Sequence, residues 1–340
     1  MSTKTSVREH EKQTEVLLEL NKKRALVDEC VILHHSVTNL LFNRSLKKAS
    51  ITTVREQIDR MKEIAEKTVH PLAKNYYFLS ETYFFQATQN PNMARKFCEL
   101  YLELLKNEEA LFTNVRLAGT YLQLAQITAE QGDLKAAEHN INRALDDFPK
   151  KAMNHLLALE VAYRIAFQSK DWEKVGKLIQ QAQEHPGLNT SRNLAAKWKY
   201  FLACFQFRTQ QYREAYTSLN DTTPLLADKF GINIAVRMLD IMIMYETDNM
   251  DLLESKILNM RQFVKRTQKD MAQQRAALLV RLLLGWYRSN YSFEDTVDEF
   301  KNELEPNNSE RSGTGWGTST YELIPLDSWL VEKARNSFPE

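Results

Sequence analysis

The segment from Ala118 to Pro149 constrains this chain most, because its pattern returns further along. Tyr121, Leu124 and Ala125 share one helical face there, and Gln131-Gly132-Asp133 interrupts the helix. Ala137, Ile141 and Ala144 then share a face of a second helix that ends at Phe148-Pro149. Spacings of three and four put each set on one stripe, so the two stripes can face each other across the turn. Glycine suits the left-handed end of the first helix, and aspartate suits the cap of the second. The second-helix pattern recurs at Lys170-Asp171-Trp172-Glu173-Lys174-Val175, at Gln211-Tyr212-Arg213-Glu214-Ala215, at Asn249-Met250-Asp251-Leu252-Leu253 and at Ser292-Phe293-Glu294-Asp295-Thr296. From Ala137, the lead residues Val175, Ala215, Leu253 and Thr296 follow at intervals of 38, 40, 38 and 43. Upstream, Asn90-Pro91-Asn92-Met93-Ala94 divides another helical pair. Six helical hairpins are therefore expected between residues 71 and 305.

The Ala118–Pro149 segment resembles the tetratricopeptide repeat, a helix–turn–helix unit of about 34 residues. Tyr121 takes its aromatic position, Leu124 and Ala125 the leucine and small positions that follow, and Ala137, Ile141 and Ala144 those of the second helix. Pro149 takes the closing proline, and Thr128 departs from a usual second aromatic. The resemblance implies an all-α, right-handed α-α superhelix. Composition agrees: 9 glycines and 8 prolines in 340 residues are too few for the turns of a β-rich chain. A chain this long also exceeds the size at which one core keeps growing. Three segments are expected: an N-terminal helical pair over 1–70, the repeats over 71–305, and a loop with a capping helix over 306–340. In the first, one long helix spans about Val7 to Phe42, with Val16, Leu17 and Leu20 among its apolar positions; a second spans about Thr52 to Lys67. In the last, Trp316 and Trp329 are expected to pack on the final hairpin, the latter from a helix over Asp327 to about Arg335.

Catalytic patterns are missing. Gly313-Thr314-Gly315-Trp316-Gly317 lacks the Gly-Lys-Ser/Thr that completes a phosphate loop. His34 and His35 point about 100° apart on a helix and cannot share a metal. No HExxH or Gly-x-Ser-x-Gly occurs, so neither a catalytic residue, a metal nor a cofactor is expected. Lys+Arg (45) and Asp+Glu (44) nearly cancel, which argues against nucleic acid as a partner. No stretch nears the roughly 18 apolar residues of a membrane span. Cys30, Cys98 and Cys204 are too far apart for a disulfide framework, and Met1-Ser2-Thr3-Lys4 opens no apolar leader, so a cytoplasmic setting is expected.

The repeat resemblance implies a binding groove lined by the first helix of each hairpin. Its register falls on Gln126, then Glu160 and Arg164, then Lys197, Tyr200, Phe207 and Arg208, and more loosely Arg281. Arginines beside aromatics suit an extended peptide, because guanidinium grips carboxylates bidentately and the rings supply apolar contact. The function expected is a non-catalytic scaffold that holds a peptide or helix of a partner protein. A second reading comes from a likeness in architecture to the Rap-type peptide-sensing proteins of bacteria, in which an N-terminal helical bundle precedes repeats with periods near forty. That likeness implies a signalling regulator. An enzyme with chemistry in the tail after residue 305 is the least favoured reading, since so short a tail cannot build a site. Homodimerisation through an exposed terminal face stays open.

Overall fold

A long helix α1 (Ser2–Phe42) and a shorter α2 (Lys48–Thr68) precede six hairpins. The hairpins are α3 (Pro71–Ala87) with α4 (Pro91–Asn107), α5 (Asn114–Glu130) with α6 (Leu134–Asp147), and α7 (Met153–Gln168) with α8 (Trp172–Gln183). Then come α9 (Arg192–Arg208) with α10 (Tyr212–Asn220), α11 (Ile232–Glu246) with α12 (Met250–Thr267), and α13 (Gln273–Arg288) with α14 (Phe293–Glu299). A single turn α15 (Lys301–Leu304) and the helix α16 (Leu326–Asn336) complete the α-helices among the described residues. The computed structural model describes residues 2–42, 48–222, 232–267, 273–304 and 322–336, and among them there is no strand. The glycine-rich loop and Trp316 lie outside the described residues.

The hairpins share one turn geometry. Each first helix closes with a residue in the left-handed region: Gln89, Gly132, Lys170, Gln210, Asp248, and Asn290 together with Tyr291. The next N–H donates back five residues, as from Asn90 to Phe85, Asp133 to Thr128, Asp171 to Ala166 and Gln211 to Gln206, at 2.8–3.0 Å. This six-to-one bond satisfies carbonyls the helix end would otherwise leave unpaired. Four of the second helices, α4, α6, α8 and α14, open on a side-chain cap: Asp133, for example, accepts from the Ala136 N–H and Asp171 from the Lys174 N–H, both at 3.1 Å. In each second helix the lead residue is inaccessible: Ala94, Ala137, Val175, Ala215, Leu253 and Thr296 are all 0% exposed. Small or slim side chains there let the paired helices approach closely. Thr128 fills the aromatic slot without strain because its hydroxyl donates to the Leu124 carbonyl at 2.7 Å.

The helices pack as two units, Met1–Phe148 and Pro149–Glu340. In the first, the C-terminal half of α1 buries Val27, Cys30, Val37 and Leu41 against Val54, Ile58 and Met61 of α2 and Ala73 and Phe84 of α3. His34 and Ser80 hydrogen-bond inside this core at 2.9 Å, and Arg55 of α2 grips Glu81 of α3 through two contacts of 2.8 Å. The other half of α1 behaves differently. Residues 9–25 are exposed, including Val16, Leu17 and Leu20, because a 21-residue α2 can flank only half of a 41-residue α1.

In the second unit the first helices of successive hairpins sit side by side. Tyr163 of α7 stacks on Phe201 of α9 with centroids 4.8 Å apart, and its hydroxyl donates to the Phe201 carbonyl at 2.7 Å. Tyr245 of α11 meets Trp286 of α13 at 5.0 Å. The expected C-terminal helix is α16, and Trp329 packs edge-on to Trp286 and Phe293 of the last hairpin, each at 5.5 Å.

Candidate functional site

Seven of the eight residues expected to line a groove fall in the second unit. Gln126 lies in the first, half-buried on α5. On α7 and α9 three charges come together. Glu160 accepts from Arg164 one turn along its own helix at 3.2 Å, and from Lys197 across the helix pair. The three side chains are 11%, 16% and 16% exposed, so the cluster is mostly withdrawn from water. Arg164 also lies over the Phe201 ring at 5.9 Å, where the ring face attracts the cation. Spacing by one turn explains the first pair. The second needs α7 and α9 side by side, which the Tyr163–Phe201 stack provides.

Tyr200 and Phe207 depart from the expectation of open aromatic faces. They are 1% and 4% exposed, and the Phe207 ring meets Tyr212 at 5.4 Å. Tyr200 hydrogen-bonds Cys204 and the backbone at Leu323, so the C-terminal segment covers it. Burial drives the Tyr200 hydroxyl far above the usual phenol range and pushes the Cys204 thiol up to about 12. Arg208 is half-buried and pairs with Glu332 of α16 at 2.8 Å. Arg281 is exposed and pairs with Glu303 of α15 at 3.3 Å.

The C-terminal segment brings residues to this face that the repeat register did not mark. Arg275, at the start of α13, grips Glu322 at 2.9 and 3.1 Å and Asp327 at 2.8 and 3.0 Å. Burial raises the Glu322 carboxyl above its usual range, and Arg275 works against that rise. Glu246, ending α11, takes the Trp329 indole N–H at 3.1 Å and pairs with Lys333 at 2.7 Å. A signal for this was present in the sequence: Glu322, Asp327 and Glu332 alternate with Leu323, Ile324, Leu326, Trp329 and Leu330, the pattern of a segment made for a basic, apolar bed.

Among the described residues no group of three or more His, Cys, Asp or Glu is placed to hold a metal ion, and no helix is long and apolar enough to cross a membrane.

No protein-family model matches the sequence, and no curated protein matches it either. Solved structures do match. The apo form of the quorum sensor NprR from B. thuringiensis superposes with a TM-score of 0.67 at 13% identity, covering 98% of this chain and 94% of that one. A Rap protein complexed with Competence and Sporulation Factor gives 0.55 at 14%, covering 96% and 99%. NprR in complex with its cognate peptide NprX gives 0.56 at 14%, covering 85% and 83%. At these identities the likeness is one of fold, and the fold is the all-α, tetratricopeptide-like helical repeat that Rap and NprR proteins share.

Proposed function

We propose that this chain is a non-catalytic, cytoplasmic regulator that binds a peptide or short helix on the face made by α7, α9, α11 and α13. One observation carries the reading: the α9, α11 and α13 part of this face, with α14 beside it, already holds a peptide segment, residues 322–336, by arginine–carboxylate pairs and a buried tryptophan. A surface that orders one acidic, apolar segment has the chemistry to order another. The fold likeness agrees, since one of the matching structures is described as bound to its cognate peptide. In this reading residues 1–70 form the output element, 71–305 carry the binding face and 306–340 form the tail. Glu160, Arg164 and Lys197 set the polar end of the site, Arg208 adds a second cation, and Arg281 is peripheral. Tyr200 and Phe207 support the face from beneath.

The test is peptide retention. The purified chain is incubated with the low-mass fraction of an extract from its source cells, filtered, and the retained peptides are identified by mass spectrometry. A variant carrying Arg164→Glu and Lys197→Glu, equally helical by circular dichroism, loses the retained peptide. Retention of no peptide, or equal retention by the variant, refutes the proposal.

A further inference from the structure

The helix α16 is more than an end cap. A cap has only to cover the apolar face of the last repeat. α16 does this through Trp329, which contacts Trp286 and Phe293, yet it also reaches back two hairpins. Glu332 pairs with Arg208 of α9, Lys333 pairs with Glu246 of α11, and the Leu323 backbone hydrogen-bonds Tyr200 of α9. Charge is matched along the whole contact. The acids Glu322 and Asp327 meet Arg275, the acid Glu332 meets Arg208, and the base Lys333 meets an acid. Leu326, Trp329 and Leu330 are buried on the docked stripe of the same short helix, where Trp329 and Lys333 share Glu246, and Asp327 and Glu332 flank the apolar residues. An amphipathic helix laid by its apolar face into a groove, with its charges read one by one, is a mode of partner recognition.

We propose that the face beneath α16 is a binding site for an acidic, amphipathic peptide segment bearing one large aromatic residue, and that α16 is a resident competitor that such a partner displaces. The proposal rests on reading the second unit as peptide-binding, and it names both the ligand's chemistry and the control of the site. Arg275 and Arg208 select carboxylates at the two ends of the ligand. The slot between Tyr245, Trp286 and Phe293 selects the aromatic residue. A tethered competitor acts at an effective concentration that a free ligand must beat, so the apparent affinity falls by the fraction of time the face is open.

The test uses the full chain and a fluorescent synthetic peptide of residues 322–336, followed by anisotropy. A full-length variant with Trp329→Ala and Leu330→Ala, whose own tail has lost its anchors, is expected to bind the peptide at least about tenfold more tightly than the unmodified chain. The same peptide carrying Trp329→Ala is expected to bind neither. A variant that remains helical but binds no more tightly overturns the proposal. Hydrogen exchange on the unmodified chain tests it without any substitution. Amides of 326–336 are expected to exchange ahead of those in α9 and α11. Equal protection overturns the proposal, because α16 would then leave only when the whole unit unfolds. A natural peptide that is retained by the unmodified chain, and no better by the double variant, sinks the competitor while leaving peptide binding intact.

Discussion

Arg275→Met tests the anchor of the C-terminal segment most directly. The guanidinium makes four hydrogen bonds to two carboxylates, and methionine keeps an apolar stem while removing all four. Arg275, Glu322 and Asp327 are 22%, 16% and 24% exposed, so the substitution leaves two mostly buried carboxylates beside each other. Breaking a buried pair from one side costs about 3–5 kcal/mol; the residual exposure puts this case at the lower end, about 3 kcal/mol. That corresponds to an increase of about a hundredfold in the open population of α16. Hydrogen exchange with mass spectrometry reads it directly: protection of 326–336 falls by about two orders of magnitude at pH 7, while α3 in the other unit is unchanged. The pH dependence has a definite sign. Burial already raises Glu322 in the docked state, and losing Arg275 raises it further. A carboxyl raised on docking binds its proton more tightly there, so docking is favoured at low pH and weakens as pH rises through the raised value. The variant's deficit is therefore full at pH 7 and shrinks towards pH 4.5. Unchanged protection at pH 7, or a deficit that grows on acidification, refutes the reasoning.

Four further outcomes are expected. Lys170 sits in the left-handed region, where a side chain costs about 1–2 kcal/mol, so Lys170→Gly raises stability by about 1 kcal/mol and the thermal midpoint by about 2–4 °C, read by circular dichroism. A Cβ on Gly285 would stand 2.3 Å from the Phe300 ring, so Gly285→Ala displaces that ring and costs about 1–3 kcal/mol in urea unfolding. His34, buried beside His35, Tyr76 and Tyr83, has its pKa lowered to about 4 by burial first and by His35 second. A depressed histidine contributes stability above its unfolded value and loses it as pH falls, so the first unit weakens between about pH 6.5 and 4, and His34→Asn flattens that slope in urea midpoints. The thiols of Cys30 and Cys204 are pushed up to about 11 and about 12 by burial, and Cys98 is raised as well. All three are inaccessible, so a thiol reagent at pH 8 labels none of them until denaturant is added.

The hairpins were legible in the sequence because they are made by short-range rules. A period of three and four residues marks the stripe, and an aspartate or serine marks the cap. A recurring lead position, Ala137 through Thr296, marks the place where two helices must nearly touch. The turn type was legible only at Gly132; at Gln89, Lys170, Gln210, Asp248 and Asn290 packing of the two helices holds a side chain in a conformation its own propensity disfavours. The candidate site was legible in part. Repeat register put Glu160, Arg164 and Lys197 on one face, and those three do meet.

What register could not determine is what lies against that face. Tyr200 and Phe207 share the periodicity of groove residues and yet are buried, since a period fixes direction around a helix and says nothing of what covers it. Arg275, Glu246 and the acids of the tail are far apart in the chain, and only long-range packing brings them together. The sequence by itself therefore determined the repeating hairpins and the facing of each helix, which depend on residues within a turn or two of one another. The tertiary structure alone decided where the tail sits and which charges it meets, because those energies depend on the burial and pairing of groups that become neighbours only after folding.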